Sequence, residues 1–432
     1  MKTYFENIDE GVVNPFHGHR IERLRVRWIV CALVFAATTI NYMDREVMGL
    51  LAPVLQSVLK WSEAQYGYII MSFQIAYALG YVTSGRIMDA IGTRLGYAGA
   101  VLLWSIASCL HALVGTVIGF AVVRFLLGLG ESGNFPAAVK STVDYFPAEE
   151  RALATGLLNS GMNVAVQITP LFVPWVVLRR GWHAAFLATG LLGFLWLAAW
   201  MAFPYDRLCP KVSVAPQLEP ANIWLLLRDR NTWAFAIAKF LTDTIWWFYL
   251  YWLPKFFSSR FGLTIGAMAL PLTVVYLAAS AGSIGGGGLA GLLIRAHGSL
   301  NFGRKMAMLV CALCALPAMI VPAIRHLWWA TALIALASGA HQGWSANLFT
   351  TPADMFPPRK VATVVGIGGT AGALGGVLLS WAAGQLLQKT HDYKWLFVIS
   401  GSAYLFSLLW FQLMAPCLPN VSELTEQFGG SG

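Results

Sequence analysis

Glu131-Ser132-Gly133-Asn134, followed by Asp144-Tyr145-Phe146-Pro147, Arg151 and Gly156, returns later in the chain as His341-Gln342-Gly343-Trp344, Asp354-Met355-Phe356-Pro357, Lys360 and Gly366. Asp144, Phe146, Pro147 and Gly156 recur at one offset of about 210 residues, so the chain is built of two related halves. Glu131 exchanged for His341, and Ala137 for Asn347, mark where the halves differ chemically. Both copies lie in apolar segments long enough to cross a bilayer.

The composition extends that reading. The chain is 57% hydrophobic and 11% charged, against roughly half apolar and a quarter charged in soluble domains. The apolar residues fall into twelve blocks, at about 27–48, 66–86, 95–113, 116–138, 152–177, 183–203, 232–256, 266–292, 305–324, 328–350, 361–387 and 394–415. Each must be helical, because backbone polar groups find no water in lipid. The expectation is an all-α membrane protein with twelve transmembrane helices in two pseudo-symmetric six-helix bundles. A cytoplasmic tail (1–26) precedes the first bundle (27–203), a linker (204–231) joins it to the second (232–415), and a second tail (416–432) closes the chain. Paired halves of this kind predict a carrier with its site between them near mid-membrane.

A net charge of +9 could suggest nucleic acid. Of the basic residues outside the spans, however, 18 lie on the side of the N-terminus and 8 on the other. That asymmetry is a topology signal placing both termini in the cytoplasm. Six scattered cysteines make neither a disulfide framework nor a metal cluster.

An ionised group at mid-span costs about 2.5–3.5 kcal/mol on the lenient insertion scale, so the few present are candidates for function. Span one carries Asn41-Tyr42-Met43-Asp44-Arg45. Arg45 offers a planar fork for a carboxylate, and Asp44 points about 100° away toward different partners. Span four carries Arg124 and Glu131, seven residues apart on one face, suited to a supporting ion pair. Glu131 sits among glycines, and a carboxyl in a dry pocket can handle protons. In span seven, Lys239 and Asp243 stand one turn apart; they either neutralise each other or meet an anion and hydroxyls. Trp246 and Tyr249 follow, either lining a sugar site or anchoring the helix end. Span ten sets His341, Trp344 and Asn347 on one face. Gln74 and Tyr77 in span two, and Asn159, Asn163 and Gln167 in span five, add donors and acceptors for a polyhydroxy solute, each alone also explicable as interhelix glue. Between spans two and three, Gly85-Arg86-Ile87-Met88-Asp89-Ala90-Ile91-Gly92-Thr93-Arg94 reads as a hinge loop resting on Gly85, Asp89, Gly92 and Arg94, with a weaker echo in Gly303-Arg304-Lys305. Gly285 to Gly288, and Gly368, Gly372 and Gly376, read as sites of close helix packing.

Taken together, Asn41–Arg45, the span 2–3 loop, Arg124–Pro136, Lys239–Asp243 with Trp246-Trp247, and His341–Phe349 resemble the major facilitator superfamily along nearly the whole chain. Within it the chain is most similar to the anion:cation symporters, and among those to bacterial hexuronate transporters. The resemblance implies a multi-pass protein of the bacterial inner membrane that imports a sugar acid, glucuronate or galacturonate, by alternating access. It also implies that Asp44 and Glu131 are the proton-coupling pair, that Arg45 meets the substrate carboxylate, and that Tyr42 and Tyr77 line the site. Asn163, Lys239, Asp243, Trp246, His341, Trp344 and Asn347 complete the expected substrate contacts. Ala90 departs from the family loop, where a basic residue often follows the aspartate. Protons are the coupling ion; no cofactor, metal or nucleic acid is expected. The partners are the sugar acid and the bilayer, with a monomer as the working unit.

Three rivals remain. A carrier for another organic anion, an aldonate or aldarate, fits nearly as well. A drug exporter of this fold would tend to carry a Gly-Pro-Gly-Gly cluster where span five reads Gly161-Met162-Asn163-Val164-Ala165, and cationic drugs do not call for Arg45. A membrane enzyme would need a nucleophile–base set or metal ligands, and His341 has no neighbouring His or Cys in sequence.

Overall fold

The computed structural model describes residues 16–146, 148–203 and 223–418, and it is helical throughout, with no strand among those residues. Most of the two tails and of the linker lie outside them. The first half contains α1 (Phe16–Leu59), α2 (Glu63–Ile91), α3 (Thr93–Leu110), α4 (Val117–Glu131), α5 (Asn134–Tyr145), α6 (Ala148–Arg180) and α7 (Trp182–Ala202). A short α8 (Ile223–Leu227) precedes α9 (Arg230–Phe261), α10 (Ala269–His297), α11 (Leu300–Ala315), α12 (Leu327–Leu348), α13 (Thr351–Met355), α14 (Pro358–Thr390) and α15 (Lys394–Met414).

Local chemistry sets the boundaries. Ser62 caps α2 by accepting from the Gln65 N–H, while the Gln65 side chain accepts from the Ser62 N–H, a capping box that starts the helix one turn after α1 ends. Gly92 alone separates α2 from α3, at φ +83°, a left-handed value that other residues resist. Pro317 and Pro322 stop α11 from continuing as an α-helix, and Leu316–Ala323 follows as a 3₁₀ turn. The fourth expected span is two helices, α4 and α5, divided at Ser132-Gly133, whereas the tenth is the single helix α12, with the short α13 following it.

Among the described residues, eight helical stretches are long and apolar enough to cross a membrane: Thr93–Leu113, Val117–Thr142, Gly156–Arg180, Trp182–Ala202, Ala269–His297, Leu300–Ala323, Thr363–Thr390 and Lys394–Met414. The four other long helices, α1, α2, α9 and α12, carry Asp44 and Arg45, Gln74 and Tyr77, Lys239 and Asp243, and His341 and Asn347.

The halves meet where α2 packs on α14, α1 on α9, and α6 on α10. Polar links between them gather toward the end of the molecule that holds the α1–α2 turn, here called distal. There the Tyr66 hydroxyl donates to the Tyr251 carbonyl at 2.8 Å, Ser380 Oγ donates to Gln74 Oε1 at 2.8 Å, the Glu63 N–H donates to Gln388 Oε1 at 3.1 Å, and Lys255 pairs with Glu63.

Candidate functional site between the halves

The centre of the site is Arg45. Helix α1 delivers it into the seam between the halves, where it is 3% exposed. Its Nε donates to Glu131 Oε2 of α4 at 2.9 Å, and a terminal nitrogen donates to Asn41 Oδ1 at 3.2 Å. Four rings surround the guanidinium: Tyr42 at 4.5 Å, Tyr77 at 4.6 Å, Phe73 at 5.5 Å and, from the second half, Trp247 at 5.6 Å. Aromatic faces attract a cation, more so when it is desolvated. Glu131 Oε1 has no hydrogen-bond partner. Arg45 therefore holds one carboxylate oxygen with one of its donors, leaving most of a planar fork unspent in a cage contributed by both halves.

Asp44 points about 100° round the helix from Arg45, as the helical rotation requires. Ser108 of α3 donates to Asp44 Oδ1 at 2.6 Å, and Thr189 of α7 lies 3.4 Å from the same serine hydroxyl. Asp44 is thus held inside the first bundle by Ser108 and not by Arg45. The expected Arg124 ion pair is not formed. Arg124 is fully buried, donates to the Arg45 carbonyl at 3.2 Å, and stands over the rings of Phe73 and Tyr251 at 5.2 and 5.7 Å. Two turns of helix, roughly 10 Å, part it from Glu131 on the same face, too far for a direct pair.

In the second half, Lys239 and Asp243 pair with each other at 2.5 Å, and the ammonium also sits 3.8 Å from the Phe349 ring centre. Trp246 stacks on His341 with ring centres 5.2 Å apart and planes 7° apart. His341 Nδ1 lies 2.9 Å from the Tyr404 hydroxyl, and Trp344 meets the same tyrosine ring edge-on. Asn347 is fully buried and serves the helix framework through its amide, while its Oδ1 has no hydrogen-bond partner. Its amide donates to the carbonyls of Gly286 and Gly343, both at 2.9 Å, so it joins α10 to α12. Asn163 is half-buried on α6 and makes no hydrogen bond with the described residues.

The expected hinge loop is largely helix. Gly85 lies within α2, and the break is confined to Gly92. Arg94 belongs to the first turn of α3 and donates to the Met201 carbonyl at 2.8 Å. The side chain of Asp89 lies outside the described residues.

Trp247, part of the aromatic run of span seven, walls Arg45. Sequence reasoning missed other members of the site: Phe73 and Tyr251 complete the surroundings of Arg45 and Arg124, and Tyr404 carries His341. Glu46 is fully buried beside Arg45, with neither carboxyl oxygen hydrogen-bonded. Its signal was available, since Asp44-Arg45-Glu46 places three ionisable residues in succession inside one span. Phe73, Tyr251 and Tyr404 gave no such signal, because aromatic residues are common throughout the chain.

Residues 34–380 match the Major Facilitator Superfamily. The chain is 31% identical over 381 residues to the hexuronate transporter of Escherichia coli (strain K12), covering 84% of this chain and 88% of that protein. It is 30% identical over 308 residues to the galacturonate transporter of Dickeya chrysanthemi, covering 67% and 88%. Among solved structures, the D-xylose-proton symporter shares the fold with a TM-score of 0.70 at 15% identity, covering 91% of this chain and 98% of that one.

Proposed function

The chain belongs to the major facilitator superfamily, whose members are membrane transporters and not enzymes, and we propose that it imports a hexuronate together with protons by alternating access. On this reading it is a monomer of twelve spans in the bacterial inner membrane, with both termini cytoplasmic and the distal end facing outward. One observation carries the reading above all: a desolvated arginine, caged by rings from both halves, has a single carboxylate partner that can be exchanged.

The chemistry follows from that exchange. A guanidinium can grip a substrate carboxylate with two parallel bonds. Glu131 competes for it while ionised; once protonated, it releases the fork to the sugar acid. Proton arrival and substrate arrival thus favour the same state. Tyr42, Tyr77 and Trp247 shield the pair from water, and Trp246 with His341 offers a flat surface for the sugar ring. Asp44, held by Ser108 on the other face of α1, is the second carboxyl proposed to load. Lys239 and Asp243, neutralised by each other, open toward substrate hydroxyls. Release to the cytoplasm follows when Glu131 loses its proton and reclaims Arg45.

The test is counterflow of labelled glucuronate in proteoliposomes, competed by galacturonate, galactonate, gluconate and glucose. The two uronates are expected to compete and glucose is not. Glu131→Gln is expected to retain counterflow and lose pH-driven accumulation; full accumulation would remove Glu131 from coupling. A monoanion carried with two protons moves one net charge, so a membrane potential adds about 2.3 kcal/mol per 100 mV to uptake. Uptake insensitive to a voltage clamp would reduce the coupling to one proton.

A further inference from the structure

Glu46 has a position that the transport scheme above leaves unused. It follows Arg45 on α1 but projects away from the Arg45 cage, toward α6 and α10. Its carboxyl faces the hydroxyls of Thr169 on α6 and Tyr276 on α10, the latter belonging to the second half. None of the three closes a bond with another: Thr169 donates to the Ala165 carbonyl at 2.6 Å, both Glu46 oxygens are unpartnered, and so is the Tyr276 hydroxyl. Glu46 and Thr169 are fully buried, and Tyr276 is buried with them.

The neighbouring charges are all engaged elsewhere. Arg45 turns to Glu131, Asp44 to Ser108, and Lys239 and Asp243 to each other. The group that α10 presents is Tyr276, α6 presents Thr169, and no cation acts on Glu46 among the described residues. A buried carboxyl faced only by hydroxyls, with no counter-charge beside it, is held more cheaply with its proton than without it. The α6–α10 seam that encloses it is bridged by Gln167, which donates to Ser280 Oγ at 2.9 Å, while the Tyr66, Gln74 and Glu63 links close the α2 side of the same boundary between the halves. Parting α1 and α6 from α10 would admit water to the carboxyl and let it ionise.

We propose that Glu46 is a proton-binding site at the seam, loaded when the distal side closes and emptied into distal water when it opens. The proton adds to one carboxyl oxygen on closure and leaves from the same oxygen on opening, so it returns to the side it came from. It biases the conformational equilibrium and does not cross the membrane. The proposal rests on alternating access but not on which substrate is carried.

Two measurements on the purified full-length protein in lipid nanodiscs, without substrate, test it. Infrared spectra at pH 8 are expected to contain a protonated-carboxyl C=O band that Glu46→Gln lacks. Nitroxide labels on Ser57→Cys and Ser259→Cys, in a background without native cysteines, report the width of the distal seam. In the parent, closed seams become rarer as pH rises. In Glu46→Gln that dependence is expected to weaken by one proton's worth, about tenfold in the closed-to-open ratio per pH unit. An unchanged carboxyl band overturns the proposal, and so does an unchanged slope when the band is lost. Failure of glucuronate counterflow in the parent would instead sink the hexuronate reading and leave Glu46 where it stands.

Discussion

At the scale of single residues, the seam concentrates charge where charge is expensive, and the pairings show how the cost is contained. Arg45 is stabilised by one carboxylate and four rings, an arrangement that only a flat, delocalised cation can exploit. Arg45→Lys is therefore expected to raise the half-saturating concentration of glucuronate by at least about tenfold, since a charge-assisted bond worth about 1.5–3 kcal/mol is lost with the fork. Counterflow at graded glucuronate concentrations measures it, and an unchanged half-saturation would remove Arg45 from the carboxylate subsite. Arg45, Asp44 and Glu131 could be singled out from sequence because a charge inside an apolar block needs a reason. Which way each points was less legible. Helical rotation separates Asp44 from Arg45, but only the packed structure gives Asp44 to Ser108, Arg124 to a backbone carbonyl and two rings, and Asn347 to the carbonyls of Gly286 and Gly343. Polar side chains inside a bundle serve backbone groups as readily as ligands, and nothing in spacing distinguishes the two.

At the scale of elements, the repeat has a structural counterpart. Asp144 accepts from Thr93 at 2.5 Å, and Asp354 accepts from Arg304 Nε at 3.0 Å. In each half the recurring aspartate ties the start of the third long helix to the segment that follows the fourth. The sequence therefore announced the duplicated framework well, while misreading the joint itself: glycines and charges between α2 and α3 suggested a loop, yet all but Gly92 are helical. Glycine runs were similarly ambiguous. A methyl group on Gly282 or Gly286 would collide with the backbone of Gly339 or Gly343 on α12, whereas Gly285, Gly287 and Gly288 face open space. Backbone cannot retreat as a flexible side chain can, so Gly286→Ala is expected to destabilise the fold by about 1–3 kcal/mol. Gly287→Ala, in the same helix without the collision, is expected to be neutral or slightly stabilising. Thermal unfolding of the two variants in one detergent separates them; equal midpoints would mean that α10 and α12 do not approach through these glycines.

At the scale of the whole molecule, the distal links and the Arg45 cage belong to one closure. Gly49 of α1 lies against the backbone of Leu250, Tyr66 holds the Tyr251 carbonyl, and Trp247 on the same helix reaches Arg45. Any outward movement of α9 thus breaks the seam and removes a wall of the cage together, which is how substrate can be admitted without a separate lid. The pair of Lys255 with Glu63 spans the same boundary. Lys255 is 5% exposed and lies near the rings of Tyr66 and Trp252, whereas the Glu63 side chain is 27% exposed. Solvent screens the glutamate, so the pair falls between a surface bridge and a buried one. Removing its charge leaves the enclosed ammonium to seek water, and water is reached by opening. Glu63→Gln is accordingly expected to favour the state open at the distal end by about 1–2 kcal/mol, a five- to thirtyfold shift in population. The same Ser57→Cys and Ser259→Cys label pair reads this as a larger share of wide distances at constant pH. The Glu63→Gln effect should also shrink in high salt, because the carboxylate it removes is partly screened already. A distance distribution identical to the parent's would assign closure to the aromatic and backbone contacts alone, with the ion pair following the seam and not holding it.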